Sequence, residues 1–139
     1  MINDVHNGIK AECKVVVPGI KVYRDNIPQN FITPSFFVEL IDFTPARSIN
    51  DKQRITAQFD LQYFPDGDRT KYKTECIQMQ EELSRHFHVL EGSFYVKDRS
   101  FKVTDDVLHF QFTVDYTEAY ITDETPMQEL ETNTNLKED

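Results

Sequence analysis

The chain has 139 residues, is 39% hydrophobic with eleven Phe, and carries a formal net charge of −9; this fits one folded domain and excludes wholesale disorder. Seven acids and one lysine fall in residues 118–139. The acidity is therefore mostly a C-terminal property, and no basic patch offers the counterion-releasing surface that sequence-independent nucleic-acid binding needs.

The first segment places Ile2, Val5, Ile9, Cys13 and Val16 on one stripe, with Lys10, Glu12 and Lys14 on the other side. That spacing predicts an amphipathic helix, capped at Asn3 or Asp4, weakened at Gly8 and stopped by Pro18-Gly19. Ile20–Tyr23 reads as a short strand, and residues 25–34, with Pro28 and Pro34, as an extended irregular segment. Phe36–Phe43 predicts a second strand, interrupted by Thr44-Pro45. In the third, Ile55, Ala57, Phe59, Leu61 and Tyr63 alternate with Thr56, Gln58, Asp60 and Gln62, the pattern of a sheet with one wet face. The polar residues 45–53 are then the loop between these two strands.

Tyr72, Cys76, Met79, Leu83 and Phe87 recur at helical spacing, preceded by Asp66 and Asp68, which suit a helix N-terminus, and followed by Gly92 as a stop. Phe94–Val103 and Val107–Tyr116 predict a hairpin turning at Thr104-Asp105-Asp106. Pro126, Met127 and Leu130 suit a short helical turn, and 132–139 reads as a disordered acidic tail. The expected architecture is one α+β domain over residues 1–131: an antiparallel or mixed sheet of about five strands with both amphipathic helices packed on one face. Strand order does not follow from these local patterns.

Chemistry-bearing motifs are sparse. His86 and His88 are two apart, where helical side chains face different ways, His109 lies opposite its strand's apolar stripe, and His6 sits on the first helix. These are expected to be solvated or helix-end histidines rather than metal ligands. Cys13 and Cys76 fall on apolar helical stripes, which suits small hydrophobes better than nucleophiles. Asp66-Gly67-Asp68 lacks the ligand pattern of a calcium loop, Asp105-Asp106 suits a turn, and no glycine-rich phosphate loop or nucleophile elbow occurs. The expectation is no enzyme, no metal and no cofactor. With no apolar run near the roughly 20 residues of a membrane span, Asp4 and Glu12 inside the N-terminal apolar pattern, and no CxxC pair, a reducing cytoplasm is the expected setting and a membrane is not.

Two regions invite an interaction reading. Ile27, Gln29, Phe31 and Ile32 lie in the irregular segment, which either covers an end of the core or offers apolar residues to a neighbouring subunit. Arg47, Asp51 and Lys52, with Arg54 at its end, mark the 45–53 loop, which is either a solvated tip or an electrostatic docking element.

Tyr23, Asp25, Ile27, Gln29, Phe31, Pro34, Phe36 and Phe37, then Gln62-Tyr63-Phe64-Pro65, Val107-Leu108-His109-Phe110 and Met127-x-x-Leu130-Glu131, form a pattern covering nearly the whole chain. It resembles the tail terminator proteins of bacteriophages and defective prophages of Gram-positive bacteria. The resemblance implies an α/β sandwich and a virion structural protein without catalytic residues. It also implies a homo-oligomeric ring, usually six-fold, on the head-proximal end of the tail tube, assembled in the host cytoplasm. There it would stop tube polymerisation and meet the tube protein, the head-completion or neck proteins, and the sheath where the tail is contractile. DNA would pass through without specific binding. Other neck proteins share this size and acidity, and a monomeric protein-binding adaptor that uses an exposed sheet edge is a rival of a different kind.

Overall fold

In the computed structural model residues 1–119 are described; the turn expected around Pro126, Met127 and Leu130 and the acidic tail lie outside the described residues. Helix α1 (Ile2–Val16) is followed by strands β1 (Lys21–Tyr23), β2 (Ser35–Arg47) and β3 (Lys52–Phe64). A 3-10 turn at Arg69–Lys71 leads into helix α2 (Tyr72–Arg85), and strands β4 (Val89–Leu90), β5 (Phe94–Thr104) and β6 (Val107–Ala119) complete the order. The six strands form one mixed sheet in the order β1-β2-β3-β6-β5-β4, with β1 parallel to β2 and β5 antiparallel to both β4 and β6. The described residues divide into two compact units, Met1–Pro45 with Ile55–Tyr116, and Ala46–Arg54 with residues 117–119.

The first unit holds the core. Val5, Ile9 and Cys13 of α1 and Cys76 and Leu83 of α2 are fully buried, as are Ile55, Ala57, Phe59 and Leu61 of β3 and Leu108, Phe110, Phe112 and Val114 of β6. His6 of α1 meets Phe59 edge-on, and Phe87, just beyond α2, meets Phe110 and Phe112. Both helical layers therefore lie on the apolar face of the central strands, as the alternation in β3 and β6 requires. Gly8 lies where α1 comes closest to the β4 end. A Cβ there would stand 2.9 Å from the Glu91 carbonyl oxygen and 3.1 Å from Leu90 Cβ, so this glycine serves packing at the expense of helix propensity.

Turn chemistry sets the β5–β6 register. Asp105 and Asp106 have φ of 52° and 62° between the paired residues Thr104 and Val107. Two consecutive left-handed residues make the turn whose twist matches a two-residue hairpin, and Asp tolerates that backbone better than most side chains.

Several expectations require correction, beginning with the cap of α1: Met1 is the N-cap, without a side-chain cap hydrogen bond, and Asn3 and Asp4 lie inside the first turn. The strand at Phe36–Phe43 does not stop at Thr44-Pro45 but runs to Arg47. Proline is tolerated there because β1 covers only Ser35–Phe37, leaving the later residues of β2 as a sheet edge. The second helix ends at Arg85, not near Gly92; Phe87 has φ 54° and reaches the core from the linker, and Gly92, at φ 97°, turns the chain between β4 and β5. The two-residue β4 is too short for any periodicity to announce it.

The second unit contains the end of the β2–β3 hairpin. Only residues 48–51 separate the two strands, so Arg47 closes β2 while Lys52 and Arg54 belong to β3, correcting the expected loop over 45–53. The Ser48 N–H donates to the Lys52 carbonyl at 2.9 Å, and Asn50 and Asp51 take φ of 57° and 56°, a conformation Asn and Asp reach at low cost. Within this unit Gln53 Nε2 donates to Glu118 Oε2 at 3.0 Å.

Candidate functional site

The irregular segment before β2 is built around Phe31. Its ring meets Phe64 edge-on at 5.1 Å and Tyr23 at 6.3 Å, which places it half-buried against the ends of β1 and β3. The Tyr23 hydroxyl accepts the Ile32 N–H at 2.9 Å, and Thr33 Oγ1 donates to Asp66 Oδ1 at 3.0 Å. With Phe31 turned inward, the neighbouring Ile32 is turned out and 61% exposed; Ile27 and Gln29 are exposed too. The segment thus covers part of the core with one residue and presents others to solvent.

Next to it lies a feature the sequence pattern did not flag. On β2, Phe36 and Val38 are buried, but every residue from Glu39 to Arg47 is exposed, including Leu40, Ile41 and Phe43. By strand alternation Leu40 continues the face of Phe36 and Val38, while Ile41 and Phe43 point to the opposite face. Apolar side chains on both faces of a strand whose outer side has lost its neighbour are what a protein-binding edge presents.

A polar belt crosses the sheet on the face away from the helices. Gln62 Nε2 donates to Glu39 Oε1 at 3.2 Å and to Asp60 Oδ2 at 3.1 Å, and Asp60 Oδ2 also lies 3.0 Å from His109 Nδ1. Asp60 is only 7% exposed, and its Oδ1 has no hydrogen-bond partner among the described residues. His109, expected to be solvated, is instead held in this belt, beside a cavity of about 400 Å³ lined by Ser100, Lys102, Thr104 and Gln111. Ionic pairing of Lys97 with Asp115 extends the polar character of that face.

The remaining histidines and both thiols are structural in their surroundings. His86 Nδ1 lies 3.6 Å from Glu12 Oε2, while His88 is exposed. His6, also expected to be solvated, is buried: desolvation, helped by the nearby Arg24 guanidinium, lowers its pKa to about 4. Cys13 and Cys76 are fully buried and burial pushes both thiols up, away from the thiolate a nucleophile needs. Among the described residues no group of three His, Cys, Asp or Glu side chains is arranged to hold a metal ion, and no helix is long and apolar enough to cross a membrane.

Of the residues singled out from sequence, Ile27, Gln29, Phe31 and Ile32 share the segment before β2 in the first unit. Arg47, Asp51, Lys52 and Arg54 share the hairpin end in the second, where all four are exposed. The exposed apolar run of β2 and the Asp60–His109 contact were not among them. Comparison with curated proteins gives no match. Comparison with family models gives one for phage tail terminator proteins, over residues 4–127. That match takes in α1 from its third residue, α2 and the six strands of the described residues; the chain belongs to the phage tail terminator protein family.

Proposed function

We propose that the protein caps the head-proximal end of a phage tail tube as a closed ring of identical subunits, six being the expected number. Bound there, it halts further addition of tube subunits and offers a new surface to head-completion and neck proteins. Family membership makes it a structural component of the virion that works by contact with other phage proteins. What supports the finer reading is the exposed apolar set Ile32, Leu40, Ile41 and Phe43 in the first unit, which a chain acting alone would leave in water.

A ring requires two different patches on each subunit, since only heterologous contacts close by rotation. The segment with Ile27, Gln29, Phe31 and Ile32 and the hairpin end with Arg47, Asp51, Lys52 and Arg54 are the proposed contributors to ring or tube contacts. Stopping polymerisation is then a matter of asymmetry: one side matches the last tube ring and the other is mismatched for a further tube subunit. The acidic residues of the tail, 132–139, would help keep such rings soluble.

Native mass spectrometry of the full chain over a concentration series, with and without preformed tail tubes, tests this directly. The expected result is a closed oligomer, or a monomer that becomes a stoichiometric cap and stops tube growth. A chain that stays monomeric and ignores tubes would overturn the proposal in favour of an adaptor. A ring that ignores tubes would point to another neck component. Ile32→Asp is expected to weaken assembly without unfolding the chain, because that side chain is outside the core.

A further inference from the structure

Both sides of the sheet end in strands too short to cover their neighbours. β1 pairs with Ser35–Phe37 and leaves the outer side of β2 without a strand from residue 38 onward, among the described residues. At the other end β4 pairs with Phe94 and Tyr95, and the His88 carbonyl accepts the Val96 N–H at 2.9 Å. Beyond that point the outer side of β5 likewise has no strand partner among the described residues. Unpaired strand edges hold rows of backbone donors and acceptors that another chain can complete.

The charges on the two edges differ in sign. Residues 38–44 of β2 include Glu39 and Asp42 and no base. On β5, Lys102 is exposed and is the one charged residue within 100–104; just before that stretch stand Lys97, half exposed although paired with Asp115, and the exposed Asp98. Arg99 is turned back onto the Ser84 and His86 carbonyls at 3.1 and 3.2 Å, capping the end of α2. Pairing β2 with β2 would bring acids against acids, and β5 with β5 lysine against lysine, both unfavourable across strands. Pairing β2 with β5 brings opposite charges together. Each edge also carries a feature that limits promiscuous pairing: Pro45 ends the β2 stretch, and a register shift between Lys97 and Ser100, with Asp98 at φ 53°, ends the β5 stretch.

We propose that copies of this chain join edge to edge, with residues 38–44 of β2 in one copy forming a backbone ladder with residues 100–104 of β5 in the next. This rests on the ring reading above and specifies its contact. The joint is head-to-tail, so an open string of copies keeps one free edge of each kind, one at either end, until the ring closes. Leu40 and Ile41, one on each face, then stand beside side chains of the neighbour's strand, which accounts for apolar side chains on both sides of an exposed strand.

Charge reversal with rescue is the test, using the full chain. Glu39→Lys/Asp42→Lys and, separately, Lys102→Glu are expected to raise the concentration needed for half-assembly by at least about tenfold, while circular dichroism and thermal midpoint stay those of the parent monomer. The triple variant is expected to recover assembly, and amides of residues 38–44 to exchange more slowly in rings than in dilute monomer. Parent rings whose assembly is indifferent to both reversals, with 38–44 exchanging freely, would overturn edge pairing and leave the ring reading standing. A parent chain that never assembles, even on tubes, would overturn both.

Discussion

β2 and β3 are neighbours of equal length, thirteen residues each, and both are rich in aromatic and branched side chains. Their fates differ. β3 lies between β2 and β6, and Ile55, Ala57, Phe59 and Leu61 are fully buried, whereas Leu40, Ile41 and Phe43 of β2 are 38%, 46% and 43% exposed. Composition does not separate the two strands; flanking does. β3 has a full-length strand on each side, while β2 has β1 over only three residues. The apolar residues of β2 beyond Val38 are left in water by a single copy, and the proposed assembly rests on that exposure.

The sharpest test of that difference is to remove one aromatic ring from each strand. Phe59 touches His6 and stacks on Phe112. Phe59→Ala is expected to cost about 3–5 kcal/mol in urea denaturation, the lost transfer energy plus the cavity left behind. A loss below about 1 kcal/mol would mean that the centre of the sheet is not the packed core described.

His6 probes the same core through pH. Its imidazole titrates near 6.5 in an unfolded chain but about 4 when buried here. Between those values the unfolded chain takes up a proton that the folded chain refuses. Stability on this account is complete above about pH 6.5 and falls by roughly 1.4 kcal/mol per pH unit as the pH descends toward 4. Relative to His6→Gln, the parent is expected to lose about 2 kcal/mol of unfolding free energy between pH 7 and pH 5. Equal losses in both proteins would show that His6 is not the group responsible.

At the opposite end of the sheet, Gly8→Ala sets helix propensity against packing. Alanine would favour α1 by about 1 kcal/mol in an open helix, but its Cβ meets the Glu91 backbone oxygen at 2.9 Å, an atom that cannot swing aside. The expected net effect is a loss of about 1–2 kcal/mol, measured by thermal and chemical denaturation. A gain would mean that the β4 end yields easily.

These positions also show what can be read from a sequence like this one. The stripe of α1, the alternation in β3 and β6 and the Asp105-Asp106 turn are local, set by residues a few positions apart, and each stands where its spacing puts it. What escaped reading depends on distant partners. Asp60 and His109 are 49 residues apart and meet only because β6 inserts beside β3. Phe87 fits the helical period yet enters the core from outside the helix. The segment around Phe31 was legible as a surface feature with two possible uses; in the structure Phe31 turns inward onto Phe64 and Ile32 is exposed. The exposed part of β2 was not legible at all, because Phe36–Phe43 looks the same whether or not its outer side is covered.

The smallest expected effect on stability is therefore the most informative for assembly. Ile41→Thr and Phe43→Thr keep strand-forming side chains while removing apolar surface that the isolated copy already leaves in water. Each is expected to change unfolding free energy by no more than about 0.5 kcal/mol. Each should nevertheless weaken ring formation, since burial at a joint is where that surface would be withdrawn from water. A destabilisation comparable to Phe59→Ala would place these side chains in the core of a single copy and remove the contrast between the two strands. Unchanged stability with unchanged assembly would keep the contrast but assign the exposed face of β2 to a partner other than a second copy.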